Sequence, residues 1–317
     1  MGENSKPHIY TVATTHLDTS WSWELETTLN EYLPKTLTDN FALFEKCPEY
    51  VFSFEGSYRY ELMCEYYPAL FEKLKEYVAQ GRWYVAGSAY ESGDVNIPSP
   101  EALFRNFLYG TQYFEDTFGK RSEDIYLPDC FGFGYALPSI AAHANIKGFT
   151  TQKLCWSGAY GLPFDLGVWK GPDGNAMYAC VDAHDYNATL KKVRRKGAVA
   201  RKLAANIRQY NLPMTVILHG IGDRGGAPRE ESVQTVIREA AQNAYARSEV
   251  ILASTDRVFR DMDTLLTPRQ KQRLPVWDNE LVMTDHGVGC YTSRTASKRF
   301  NRRCEQLADA AERAAVA

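Results

Sequence analysis

The stretch Thr11-Val12-Ala13-Thr14-Thr15-His16-Leu17-Asp18-Thr19-Ser20-Trp21-Ser22-Trp23 decides the fold class of this chain. A β-branched, apolar run from His8 to Thr15 predicts a strand, and it ends on an imidazole and a carboxylate two residues apart. Side chains alternate faces along extended backbone, so His16 and Asp18 point to one spot at the strand's C-terminal end. α/β folds put their chemistry at that end of their strands. A nitrogen and an oxygen ligand converging there suit a divalent cation, zinc first among them. The same letters also fit a histidine on a loop and an aspartate capping the next helix.

Outward from this strand the pattern alternates. Helices are predicted over Leu25–Phe44, with Pro34 kinking or breaking it, and over Tyr60–Ala79, from Ser99-Pro100-Glu101 onward, over Lys191–Tyr210, over Glu231–Asn243 and from Asp256. Strands are predicted over Tyr50–Phe54, Trp83–Ser88, Asp124–Leu127, Ile146–Thr151, Met214–Leu218 and Val250–Ala253. Ser157–Tyr186 is rich in glycine and aromatics and reads as less regular. Strand–helix alternation predicts an α/β fold with a parallel sheet and helices outside it, open or closed into a barrel. Ser297–Val316 reads as a helix with Phe300, Cys304, Leu307, Ala311 and Ala314 on one face and no capping glycine or asparagine. That unmatched stripe leads us to expect the N-terminal part of a longer protein.

The 317 residues suffice for a substantial core, and 44% hydrophobic with 24% charged residues is ordinary for a globular protein. A net charge of −3 gives no electrostatic case for nucleic acid or an anionic membrane. No apolar run reaches membrane-span length, and Met1–Lys6 lacks the apolar centre of a signal peptide. As written the chain reads as cytoplasmic, or as periplasmic or secreted where an export signal has been removed. Seven scattered cysteines without a C-x-x-C argue against a disulfide framework or a cysteine zinc site.

Three further segments carry chemistry. In Leu127-Pro128-Asp129-Cys130-Phe131-Gly132-Phe133-Gly134 a carboxylate follows a predicted strand, beside aromatics and glycines. Asp129 fits a metal ligand, a nucleophile or both, and equally an aspartate opening a turn. In Leu218-His219-Gly220-Ile221-Gly222-Asp223-Arg224-Gly225-Gly226-Ala227 no Walker lysine follows the glycines. Asp223 there reads as a carboxyl group on a tightly packed loop, or the segment is a plain connection between strand and helix. Trp277-Asp278-Asn279-Glu280 and Asp285-His286-Gly287-Val288-Gly289-Cys290-Tyr291-Thr292-Ser293 add an imidazole, aromatics and more glycines. His8, His143, His184 and His219 sit in no ligand pattern.

Together these segments resemble glycoside hydrolase family 38, the α-mannosidases, and bacterial members above all. The resemblance rests on His16-Leu17-Asp18 with its tryptophans and on Gly87-Ser88-Ala89-Tyr90-Glu91-Ser92-Gly93-Asp94-Val95-Asn96-Ile97-Pro98-Ser99-Pro100-Glu101. It continues through Leu127–Gly132, Gly220–Gly226 and His286–Ser293, the last with one extra residue before the tyrosine. Asn279 departs from the glycine usual before the glutamate. The resemblance implies a mostly parallel, seven-stranded, barrel-like α/β catalytic domain with outer helices, taken as residues 1–275. A connecting segment and the first helix of a truncated helical domain then occupy 276–317.

It further implies one Zn2+ held by His16, Asp18 and Asp129, with Asp129 also the nucleophile of a retaining mechanism and Asp223 the general acid/base. Trp23, Asp94, Phe131, Arg224, His286 and Tyr291 are expected on the substrate side, facing a mannose-containing oligosaccharide. The family's fourth zinc ligand, a histidine in a Q-F-H-D-like segment, has no counterpart in this chain, so an open metal site and impaired turnover are expected. Such chemistry needs two carboxyl groups about 5–5.5 Å apart, one ionised and one protonated. A metal-dependent carbohydrate deacetylase or amidohydrolase on a related barrel, and a non-catalytic carbohydrate-binding fragment, are the competing readings; the first needs a metal-bound water rather than a carboxylate nucleophile.

Overall fold

The computed structural model describes residues 6–156, 161–195 and 197–316. The leader reading of the first five residues, the 157–160 part of the glycine-rich segment and Lys196 of the basic helix lie outside the described residues. β1 (His8–Thr15) leads through α1 (Leu25–Thr27), a π-helical turn (Thr28–Tyr32) and α2 (Leu33–Lys46) to β2 (Phe52–Glu55). α3 (Ser57–Tyr66) and α4 (Pro68–Ala79) precede β3 (Trp83–Ala86); α5 (Pro100–Phe118) precedes β4 (Asp124–Tyr126). α6 (Leu137–His143) and β5 (Gly148–Thr150) follow, then the strands β6 (Leu166–Lys170) and β7 (Ala176–Cys180). α7 (Gly197–Tyr210), β8 (Met214–Ile221), α8 (Glu230–Ala240), β9 (Glu249–Ala253), α9 (Arg257–Leu265), α10 (Pro268–Lys271), β10 (Val276–Trp277) and α11 (Thr295–Val316) complete the order.

Two sheets result, β3-β2-β1-β8 with β9 also bonded to β1, and β10-β6-β7-β5-β4. Pairing is parallel throughout the described strands except for β6 with β7. β1 is buried along its length beyond His8, as a strand covered on both faces must be. The sheets meet at two seams: Gly87 N–H, just past β3, donates to Ser122 Oγ at 3.2 Å, and Leu218 N–H of β8 donates to Ala183 O at 2.8 Å. The architecture is therefore mostly parallel and barrel-like, with ten described strands in place of seven.

The extra strands have a local cause. β6 and β7 form an antiparallel hairpin inside the segment read as irregular, turned by Gly171-Pro172-Asp173-Gly174, where Gly174 has φ 89° and the Asp173 carboxylate accepts from Asn175 N–H. Two predicted helices are also shorter than expected. Tyr60–Ala79 is split at Tyr67, because Pro68 cannot continue α3 and instead opens α4. α7 starts only at Gly197, because the N–H groups of Val193 and Arg194 are taken by the Glu239 carboxylate of α8, at 2.7 and 2.9 Å. α5 begins as predicted, with Ser99 Oγ accepting from Ala102 N–H. α11 buries none of its residues, leaving Phe300 63% and Leu307 58% exposed. No described helix is long and apolar enough to cross a membrane.

Where the sheets meet, Asp124 is fully buried. Burial, reinforced by the nearby Asp256 charge, pushes its carboxyl above the usual range against hydrogen bonds from Ser122, Thr255 and Gly87 N–H. A carboxyl raised in the folded state stabilises below its unfolded value and loses that contribution as pH rises. Asp124→Asn, neutral at every pH, should therefore gain stability over the parent by about 1.4 kcal/mol or more between pH 5 and pH 8, read as a growing difference in Tm. A difference that stays flat with pH contradicts this.

Candidate active site

The corner after β1 is held by its backbone before its side chains matter. His16 N–H donates to Ile221 O at 3.0 Å, Asp18 N–H to Asp223 O at 2.9 Å, and Gly225 N–H to His16 O at 3.1 Å. Leu17 is fully buried, which turns His16 and Asp18 together to the opposite side. Arg59, itself buried, donates from Nε to Leu17 O at 2.8 Å and pairs with Glu91 at 2.9 Å. His16 Nε2 lies 3.5 Å from Asp18 Oδ1 and 3.9 Å from Asp129 Oδ2. Its Nδ1 is 3.0 Å from Glu55 Oε1, at the end of β2, and Glu55 is 1% exposed.

His16 Nε2 is buried without a hydrogen-bond partner among the described residues. One ligand atom from each of His16, Asp18 and Asp129 lies within 4.8 Å of the others. Burial opposes the imidazolium, and the neighbouring carboxylates of Asp18 and Glu55 overcome it, raising His16 to about 10.

Asp129 enters on the loop after β4, which is tied to β5 by Leu127 N–H donating to Thr150 O at 3.0 Å. Its two oxygens are divided: Oδ2 faces His16, and Oδ1 pairs with the ammonium of Lys153. Lys153 is buried, in the turn after β5, with Nζ 4.9 Å from the centroid of Phe131. Phe131 in turn lies 5.8 Å from the His286 ring, the two planes tilted by 31°. Gly287 is required there, since a Cβ on it would come within 2.1 Å of the Phe131 ring and its φ is +71°.

The glycines at the end of β8 and just past it pack rather than flex. A Cβ on Gly220 would fall 1.7 Å from Thr14 O, and one on Gly222 would fall 2.2 Å from the Tyr186 ring. This close approach places Asp223, at φ 67°, beside Tyr186, whose hydroxyl donates to Asp223 Oδ1 at 3.0 Å.

A cavity of about 560 Å³ joins these corners, lined by His16, Asp18, Asp94, Asp129, Phe131, Asp223 and His286 among others. Of the residues expected on the substrate side, Trp23, Arg224 and Tyr291 do not line it. Trp23 is turned back, its indole N–H bonded to Thr28 and its ring against Tyr32 and the Arg224 guanidinium. Trp21, 68% exposed, stands at the mouth instead. Tyr291 acts one step behind, donating to Asp94 Oδ1 at 3.0 Å. His219 is buried and bonded to Ser232, and burial lowers it to about 4, so it stays neutral.

Sequence reading missed Glu55, Lys153 and Tyr186. Glu55 was within reach, because Phe52-Ser53-Phe54-Glu55 alternates and ends a strand on a carboxylate. Lys153 lies just beyond a predicted strand end. Tyr186 closes the segment read as irregular, and nothing local marks it.

Residues 6–280 match the Glycosyl hydrolases family 38 N-terminal domain. Alpha-mannosidase G of Dictyostelium discoideum is 29% identical over 306 residues, 95% of this chain and 27% of that protein. Alpha-mannosidase 2C1 of Homo sapiens is 28% identical over 96% of this chain and 28% of its own length. The crystal structure of an alpha-mannosidase from Enterococcus faecalis V583 shares the fold at TM-score 0.67 and 20% identity, over 87% of this chain and 31% of that one. The chain thus spans a little over a quarter of the length of these curated relatives.

Proposed function

This chain belongs to glycosyl hydrolase family 38, and from that premise we propose that it carries the catalytic corner of a retaining, zinc-dependent α-mannosidase acting on terminal α-mannosides of a mannose-containing glycan. One observation carries the reading: the imidazole and two carboxylates of His16, Asp18 and Asp129 converge around a buried, unbonded Nε2. The donor set fits zinc. Ligand atoms about 2.0–2.2 Å from a tetrahedral ion stand roughly 3.3–3.6 Å apart, and the Nε2 distances to the two carboxylates are 3.5 and 3.9 Å. Glu55 on Nδ1 supplies the carboxylate that orients a ligating histidine. When bound, zinc supplies Lewis-acid polarisation and an anchor for vicinal sugar hydroxyls.

The remaining chemistry belongs to side chains. The Asp129 carboxylate attacks the anomeric carbon, forming an ester as the bond to the leaving oxygen breaks, and Asp223 gives that oxygen its proton. Asp223 then takes a proton from water, whose oxygen displaces Asp129 and restores the starting configuration. Lys153 places a positive charge beside the carboxylate that is consumed in the first step and regenerated in the second. Phe131 and Trp21 offer flat apolar faces to the sugar ring. We assign this chemistry to residues 1–275, with a wall contributed by His286 from the connecting segment.

The test is a fluorinated mechanism-based α-mannosyl donor on the complete natural protein, with any sequence following Ala317 included. Peptide mass spectrometry should find the label on Asp129, chelation should abolish labelling and zinc should restore it. Labelling elsewhere, or none in the metal-loaded protein, overturns the reading; a deacetylase gives no label at all.

A further inference from the structure

Tyr186 lines the cavity, and the two-carboxylate scheme leaves it without a task. It sits on the loop after β7, 4% exposed, with its ring 5.5 Å from the His16 imidazole and its hydroxyl on Asp223. The loop is pinned to β8 on both sides of it, by Leu218 N–H donating to Ala183 O and Gly220 N–H donating to Ala188 O at 3.1 Å. Gly222 is the complementary half of this contact, since any side chain there would displace the ring. Asp223 itself is held in the left-handed region, a conformation that persists in a non-glycine residue only where its surroundings enforce it. Its backbone carbonyl is anchored on Asp18 N–H.

We propose that Tyr186 is the positioning residue of the acid/base: by donating to Oδ1 it makes that atom the carbonyl oxygen of the protonated carboxyl and leaves Oδ2 to carry the transferable proton. A carboxylic acid has one hydroxyl and one acceptor oxygen, so a fixed donor on one oxygen selects the other as proton carrier. After transfer to the leaving oxygen, the carboxylate keeps the phenol hydrogen bond, and no proton leaves Tyr186. The residue thus acts through Asp223 and aims a proton rather than supplying one. This inference rests on the α-mannosidase reading above.

The experiment compares two donors on the complete natural protein: a 2,4-dinitrophenyl α-mannoside, whose leaving group departs without a proton, and an α-linked mannobiose, whose leaving group needs one. In Tyr186→Phe, kcat/KM should fall about 20-fold or more further for the disaccharide than for the aryl donor. Gly222→Ala, which drives the ring off Asp223 while keeping the hydroxyl, should reproduce that ratio and carries the comparison if Tyr186→Phe accumulates poorly. Equal losses on both donors in either variant overturn the proposal, because a residue that merely supports the fold or grips the sugar affects both alike. A parent protein that cleaves neither donor overturns the α-mannosidase reading, and this assignment with it; a parent that cleaves both, with equal losses in the variants, overturns the assignment alone.

Discussion

Asp129→Asn should lower kcat/KM on an α-mannoside by about 10⁴-fold or more, the scale on which removal of a covalent nucleophile acts. The substitution keeps the shape of the side chain and takes away three functions at once. An amide forms no ester with the anomeric carbon. It is a neutral, weaker donor where Oδ2 faces His16 at 3.9 Å. It also removes the negative partner of the buried Lys153 ammonium. The three contributions can be separated. Asp129→Gly assayed with the dinitrophenyl donor and sodium azide should form β-mannosyl azide, since azide then occupies the vacated position and attacks once. Product of α configuration, or an Asn variant within tenfold of the parent, would remove Asp129 from the nucleophile's role.

His16→Ala should weaken divalent-metal binding by more than 100-fold, measured as competition for zinc against a chromogenic chelator. Glu55→Gln should weaken it by about 10–100-fold, the usual effect of losing the carboxylate behind a ligating histidine. The order of the two follows from geometry. On the proposed reading His16 offers a ligand atom, whereas Glu55 offers the 3.0 Å contact to Nδ1 that keeps the opposite nitrogen turned to the carboxylates. Glu55 is buried and its second oxygen has no hydrogen bond among the described residues, so little besides His16 employs it. A Glu55→Gln protein that binds zinc as tightly as the parent would reduce Glu55 to a packing residue. The readout is binding, so it holds whatever the turnover of either variant.

How much of this was legible beforehand differs from corner to corner. His16 and Asp18 could be paired from their spacing alone, because alternation along extended backbone is a local rule and Leu17 between them is apolar. Asp129, Asp223 and His286 were singled out by type and by glycines and aromatics beside them, Asp94 only through the family resemblance, and all four line the cavity. Trp23 and Trp21 were not separable in the sequence. They are two residues apart in a turn without regular period, and the Thr28 and Tyr32 contacts that draw Trp23 inward come from the following helical turns. The β6–β7 hairpin was marked by a Gly-Pro-Asp-Gly turn, and the aromatic and glycine content around it obscured the two strands.

By itself the sequence determined the strand–helix alternation, the parallel character of the sheet and the chemical types gathered at the strand ends, because these depend on periodicity and turn chemistry within a few residues. Only the tertiary structure decided that Lys153 meets Asp129, that Glu55 backs His16 and that Tyr186 reaches Asp223. Those pairs are separated by 24, 39 and 37 positions and are brought together by strand register and crossover packing, with glycines at 220 and 222 admitting the close approach. Register between distant strands is a property of the whole packed sheet, and no local pattern encodes which side chains it sets face to face.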